Sequence, residues 1–375
     1  MKKIVFYFIA AVFVAGCNLS PSEEENGGRE GENADITDEM TTESQEPAEQ
    51  EEIRNTINVE ITELQNHRVV EVKALLDLID GSFEYDDVHK ALVIHLYETE
   101  FKLVFEVPVL EKNGKYLAAD DILLLLDEEG TPYVTEAFIE KGLGVKLAEA
   151  AGEYSVSFYW EEEAIHTFSQ PNNERFDTNS MTVAEMIELL SFLEKPIQEA
   201  AVSVIPGHLP GAPRNYRNGY HEGIDWYDYA SGAEITTDTP IYAMAEGIVV
   251  RADHDFTEYS SPEERNVDLA IAAEAGFTPD YILDRLRGQQ VWVQYPNGVM
   301  NRFAHLDSIP EDLAVGDRVD SSTVIGYVGN SGTSHSVNQD GGGLHLHQDL
   351  LIYGELFWKS YSPEEVQTIL TGIWK

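Results

Sequence analysis

Apolar and polar positions change rhythm several times along the 375 residues. One short apolar run, "IVFYFIAAVFVAG", gives way to a stretch with almost no large apolar side chains, and regular patterning starts only near residue 56. From there to about residue 160, helical and alternating segments follow one another. The spacing in "HRVVEVKALLDLIDG" predicts a helix, and "SFEYDDVHKALVIHLY" predicts two strands around an Asp-Asp turn. "TPYVTEAFIEKGLGVKLAEAAGEYSVSFYW" repeats the order helix, glycine, strand, turn, strand, so residues 56–160 read as a duplicated small α+β unit. Residues 161–205 read as a helical linker in which Thr182 caps an amphipathic helix and Pro196 bends or ends it. The Pro/Gly-rich "IPGHLPGAP" then opens the next domain.

Beyond Pro206, period two dominates. "PIYAMAEGIVVRADH", "QQVWVQYPNGVMNRFAHL", "DRVDSSTVIGYVGNSG" and "LHLHQDLLIY" predict strands, and Asn297-Gly298 between apolar runs predicts a type I′ hairpin. Strands at this spacing imply a mainly β domain over residues 206–355, an antiparallel sandwich or barrel-like core, followed by a helical tail at 356–375. In "GGGLHLHQDL" the alternation divides chemically: His345, His347 and Asp349 project to one side, Leu344, Leu346 and Leu350 to the other. The leucines read as core, and the histidines as the wall of a site.

Charge narrows the partners. With 24 Lys and Arg against 68 Asp and Glu, the formal net charge is −44. Such a surface repels phosphates and has few cations with which to displace counterions, which argues against a nucleic-acid partner. It also argues against attachment to anionic lipid through a basic patch. Residues 18–55 hold thirteen acidic residues against two arginines. They cannot bury enough apolar surface to offset the entropy of ordering, and read as a disordered acidic tether.

Residues 1–17 have two lysines, a short apolar run and then small residues, the layout of a secretory signal, and the run is too short for a comfortable membrane span. Val14-Ala15-Gly16-Cys17 resembles the lipobox of bacterial lipoproteins. That resemblance implies lipidation at Cys17 and an extracytoplasmic protein anchored to a bacterial membrane. Cys17 is the only cysteine, so the exported part has no intramolecular disulfide, cysteine metal site or catalytic thiol.

Three histidine-bearing pieces fall in the β domain. "YHEGIDWYDY" places His221 and Asp225 four apart; in a straight strand they would lie about 13 Å from each other, so sharing an ion requires a bend, which Gly223 permits. "RFAHLDSI" places His305 just past the hairpin, and "LHLHQDL" carries His345 and His347. Hydrolytic zinc is commonly held by three N or O ligands with a fourth position open to water. Two imidazoles and a carboxylate meet that requirement without cysteine. His67, His89 and His95 are scattered and read as structural; His208, His254 and His335 read as surface or loop residues.

Two resemblances sharpen this picture. "VPVLEKNGKYLAADDI" and "TPYVTEAFIEKGLGVKL" resemble the small stalk repeat named for the N-terminal domain of copper amine oxidases, which implies a spacer or wall-associated module and no copper. "HEGIDW", "TPIYAMAEGIVV", "NRFAHL", "VGDRV", "IGYVGNSGTS" and "LHLHQDL", in this order over residues 206–355, closely resemble the lysostaphin and LytM-type zinc metalloendopeptidases that cut peptidoglycan peptides. Carried across by position, the resemblance implies that His221, Asp225 and His347 bind one Zn2+ per chain. His305 and His345 would be the catalytic histidines, with their division of labour open. Asp349 shares their strand face and is placed to orient a ligand. Asn215 and Tyr216 stand where related enzymes contact substrate.

The implied protein is a lipid-anchored zinc endopeptidase acting on peptidoglycan stem peptides or cross-bridges. The alternative is a non-catalytic relative that binds the wall or activates another hydrolase. Residues 256–288, with helical character, stand where the resembling enzymes have a short turn; they either border the groove or decorate the surface. The long loop "NSGTSHSVNQDGGG" suits a flexible wall.

Overall fold

The computed structural model describes residues 56–147, 154–168 and 177–374. The signal, Cys17 and the acidic tether lie outside the described residues. Ile53–Lys375 form one compact unit.

In the N-terminal part, Ser82–Asp86 and Ala91–Leu96 pair antiparallel around the expected Asp86-Asp87 turn and start a five-stranded sheet. The helix expected across "HRVVEVKALLDLIDG" forms only over Val72–Leu78, because His67–Glu71 is a strand. Val69 and Val70, β-branched and fully buried, favour the extended form there. The second copy of the expected repeat also differs: Pro132–Thr135 is a strand, a single wide turn of helix spans Phe138–Gly142, and Ser155–Tyr159 pairs with Thr56–Glu60. Leu75, Leu92, Ile94, Phe101, Phe138 and Phe158 fill its apolar core.

The C-terminal part is mainly antiparallel sheet. Strands β1 (Ile224–Trp226), β2 (Gly247–Ala252), β3 (Val291–Gln294), β4 (Val299–Ala304) and β5 (Leu346–Ile352) lie in the order β1-β5-β4-β3-β2, with Arg318–Val319 beyond β2. β3 and β4 are joined by the predicted turn, with Asn297 at φ +59° and Gly298 at φ +71°, the double left-handed geometry that Asn-Gly favours. A smaller sheet of Pro240–Tyr242, Val324–Val328 and Leu306–Ser308 faces the large one across a shared core.

Period two sorts the large sheet into two faces. Val249, Val291, Val293, Phe303, Leu346 and Leu350 enter the shared core, while Val250, Trp292, Met300 and Leu351 point the other way. That outer face is covered by the N-terminal part: Val107, Val109 and Tyr116 pack on it, and the Tyr116 ring meets Trp292 edge-on at 5.4 Å. Leu344 departs from the expected core set. It precedes β5, is half-buried and lines the cleft described below.

The segments expected as linker and tail complete the shared core. Val183–Leu190 is a helix closed by a Thr182–Glu185 capping box, and Pro363–Ile373 is closed by Ser362–Glu365. Met186 and Leu190 of the first pack with Val366, Ile369 and Leu370 of the second in the same core as Leu346. The expected helical insertion is present as α1 (Pro262–Ala275) and α2 (Asp280–Leu286).

Candidate metal centre

The antiparallel register of β1 and β5 sets Asp225 directly opposite His347 on the outer face. His221 reaches them because the chain folds back just before β1, where the His221 N–H donates to the Ala212 carbonyl at 2.7 Å. Gly223 makes the fold-back possible: a Cβ there would collide with the Gln348 carbonyl of β5, so no other residue fits so close an approach.

The three side chains converge to a triangle. His221 Nε2 lies 2.9 Å from Asp225 Oδ1 and 3.0 Å from His347 Nδ1, and His347 Nδ1 lies 2.9 Å from Asp225 Oδ1. All three residues are buried. Their other nitrogens are engaged: His221 Nδ1–H donates to the Leu209 carbonyl at 3.0 Å, and His347 Nε2–H donates to Asp349 Oδ1 at 2.7 Å. In the neutral rings those bonds leave His221 Nε2 and His347 Nδ1 as acceptors facing a carboxylate, an arrangement that a metal ion or a shared proton would satisfy. Burial opposes charge on His347, but Asp349 and Asp225 overcome it and raise its pKa to about 9, so the local field favours positive charge. Tetrahedral zinc with ligands at 2.0–2.1 Å needs donor separations of about 3.3 Å, close to the spacing found. Two imidazoles and one carboxylate are a fitting donor set for it.

His305 and His345 flank the triangle. β4 leaves the large sheet at Ala304 and the chain enters the small sheet at Leu306, so His305 sits at the crossover with φ +61°. That left-handed kink, which costs on the order of 1 kcal/mol, is fixed by His305 N–H donating to the Arg287 carbonyl at 2.8 Å. His305 Nδ1–H donates to Ser331 O at 2.7 Å and His345 Nδ1–H to Gly343 O at 2.7 Å, which leaves each Nε2 as the basic nitrogen. The two rings lie 4.7 Å apart, and His345 stacks on Tyr227 at 4.3 Å. Burial, then the neighbouring imidazoles, hold the His305 pKa well below its ordinary value; burial also lowers that of His345.

Residues 219–356 match the family model of Peptidase family M23. The match covers all three histidine segments and Asp225. Residues 1–18 match the prokaryotic membrane lipoprotein lipid attachment site, so the protein is lipid-anchored outside the cytoplasm. No helix among the described residues is long and apolar enough to cross a membrane. Among solved structures, the chain is similar to the catalytic domain of the antimicrobial peptidase lysostaphin from Staphylococcus simulans, at 20% identity over 42% of this chain and 82% of that one, with a TM-score of 0.24. It is similar to LytU at 22% identity over 47% and 91%, TM-score 0.25. A putative peptidase M23 from Pseudomonas aeruginosa gives 17% over 68% and 85%, TM-score 0.27. Among curated proteins, none matches the chain at the significance required.

Behind the triangle, the M23 region buries an ionic support that the sequence reading largely missed. Asp349 is fully buried and is held by Arg287, whose Nε and Nη2 both lie 2.9 Å from Oδ2, and more distantly by Arg302 at 3.8 Å. Burial alone would raise the Asp349 pKa; Arg287, His347 and Arg302 reverse this and drive it far below the carboxylate range. Arg302 in turn donates to the Tyr116 hydroxyl at 3.0 Å, so the N-terminal part touches the second layer of this network. The signal for Arg302 was its place in "VMNRFAHL", on the same face of β4 as Met300. Arg287 lies just past α2 and had no periodic signal.

The site opens into a cleft of about 1080 Å³. Asn215 and Tyr216 line it, and so do two histidines assigned to surface or loop positions. His208 contacts Ser203 Oγ at 3.0 Å and the Tyr229 hydroxyl at 3.2 Å, while His335 pairs with Asp340 at 2.8 Å. His254 lies outside the cleft lining and contacts Leu313 O at 2.7 Å. The insertion borders the groove: Arg265 of α1 and Leu283 and Leu286 of α2 belong to the wall.

Proposed function

We propose that this protein is a zinc-dependent endopeptidase that hydrolyses peptide bonds in peptidoglycan stem peptides or cross-bridges from a lipid anchor outside the cell membrane. The observation that carries the reading is the convergence of His221 Nε2, Asp225 Oδ1 and His347 Nδ1 within 3.0 Å of one another, inside the region that matches the M23 family. These three residues would hold the metal, leaving a fourth position on the cleft side. A bound zinc there would supply Lewis acidity to a scissile carbonyl and bring the pKa of a water towards neutrality.

The chain's own groups supply the rest. His305 and His345, with Nδ1–H anchored on carbonyls, present Nε2 as acceptor: one takes a proton from the attacking water, and a protonated imidazole then supports the developing oxyanion or returns the proton to the leaving amine. Burial and the neighbouring imidazoles lower the pKa of His305, and burial that of His345, which favours the neutral, proton-accepting form of both rings. Asp349 fixes the His347 tautomer, and Arg287 fixes Asp349. Val107, Val109 and Tyr116 of the N-terminal part pack against the outer face of the sheet.

Digestion of purified peptidoglycan of several cross-link types, with fragments identified by mass, tests the reading. New peptide termini that disappear on chelation support it; intact wall material with zinc-loaded protein contradicts it.

A further inference from the structure

The insertion carries a charge that pairs with no carboxylate among the described residues. α1 arches between two parts of the cleft: Asn218 Nδ2–H donates to the Ala273 carbonyl at 2.9 Å near its end, and Arg265 Nε–H donates to the Gly332 carbonyl at 3.1 Å near its start. Acidic side chains surround this first turn, and three of them bond to other groups. Glu264 and Asp268 pair with Arg285 at 2.8 and 3.1 Å, and Glu258 accepts from Gly332 N–H at 2.7 Å. Among the described residues no carboxylate forms an ion pair with Arg265, although the chain has 68 acidic residues for 24 basic ones.

Arg265 lines the cleft together with His305 and Thr333, and one Nε–H bond leaves its terminal N–H groups without a carboxylate. Among the described residues no other lining carboxylate forms an ion pair with it. Glu222 is neutralised by Arg217 at 2.6 Å, and Asp225 faces the histidines and Arg214, 3.4 Å away. Asp228 accepts the Tyr229 N–H at the start of its own short helix. A half-buried guanidinium fork with free parallel donors fits a carboxylate bidentately.

We propose that Arg265 is a specificity residue, contributed by the insertion, that recognises a carboxylate on the substrate peptide. The preferred substrate class is therefore an anionic peptide with free carboxylates rather than a neutral glycine bridge or an amidated chain. The proposal rests on the peptidase reading above for its consequence in turnover, and on the cleft alone for its consequence in binding.

The test uses the full zinc-loaded chain and two wall stem peptides that differ only in carrying free or amidated carboxylates. Wild type is expected to show kcat/KM about tenfold higher on the free form, in line with a charge-assisted hydrogen-bonded contact, and Arg265→Gln to bring the two forms to within about twofold. Arg265→Lys, which keeps the charge without the fork, should retain part of the preference. Calorimetric binding to His305→Ala protein, with and without Arg265→Gln, reads the same preference without turnover. If neither peptide is cut but the free form still binds more tightly through Arg265, the carboxylate site stands and the hydrolytic reading falls. Equal losses on both peptides in Arg265→Gln would mark a merely structural arginine and overturn the proposal. So would wild type with no preference in rate or binding.

Discussion

Among the described residues between 56 and 168 the buried polar side chains are Thr99, Thr135 and Ser157, whereas the region that matches the M23 family model buries His221, Asp225, Arg287, His345, His347 and Asp349 among others. Both regions are built from short antiparallel strands, and both have a well-filled apolar core. They differ in what they take out of water. A hydroxyl is easily satisfied by a backbone partner, but ionised groups lose several kcal/mol of hydration each and regain it only in closely matched pairs. A fold gains little stability from such burial compared with apolar side chains of the same size. The contrast therefore locates chemistry: the N-terminal part is organised for packing, and the outer face of β1 and β5 for holding charge.

The sharpest way to break this contrast is at His305, one of the two histidines proposed to move the proton. His305→Ala should reduce kcat by about 10²–10⁴ while leaving zinc content and fold intact, read by peptide-release assay and metal analysis. In the other region, Phe101→Ala should lower unfolding stability by about 3–5 kcal/mol in denaturant titration, with zinc stoichiometry unchanged, since Phe101 is fully buried between Phe138 and Phe168 and has no link to the site. Asp349→Asn should weaken zinc affinity by about 10–100-fold, measured by competition with a chelator, because the His347 tautomer loses its carboxylate partner.

A pH titration sharpens the same comparison. Burial, then the facing imidazoles of His345 and His347, hold His305 below its ordinary value, so the unfolded chain takes up a proton near pH 6.5 that the folded metal-free site refuses. In the metal-free protein the His305 contribution to stability should be full above that pH and be lost as pH falls through it, while the raised His347 pKa adds stability that is lost as pH rises towards about 9, so the thermal midpoint should fall on both sides and His305→Gln should flatten the acid-side slope. The smallest effect is expected at His95, exposed and 4.0 Å from Glu100: His95→Ala should leave zinc content and turnover within about twofold of wild type.

Patterns local in sequence were legible. The Asn297-Gly298 turn, the Thr182 cap, the insertion helices and the alternation that puts His347 and Asp349 opposite Leu346 and Leu350 depend on neighbours within a few residues. The need for a bend at Gly223 followed from strand geometry alone, although the reason no larger residue fits, the Gln348 carbonyl, came only with the fold. What escaped were contacts across long sequence separations. Tyr116 meets Trp292 and Arg302, and Val183–Leu190 meets Pro363–Ile373. Arg287 reaches Asp349 from a loop with no periodicity. Leu344 was misassigned because alternation was extended past the point where β5 begins. His67–Glu71 was read as helix because its apolar spacing fits both periods until the sheet partner is known.

Zinc stoichiometry and affinity across single alanine variants at 221, 225 and 347 probe the central claim most directly. One zinc per chain in wild type and in His305→Ala, with affinity lost at all three converging positions, is the predicted result. A folded wild type that digests wall peptides with no metal, or variants at these positions that keep wild-type zinc affinity, would contradict it.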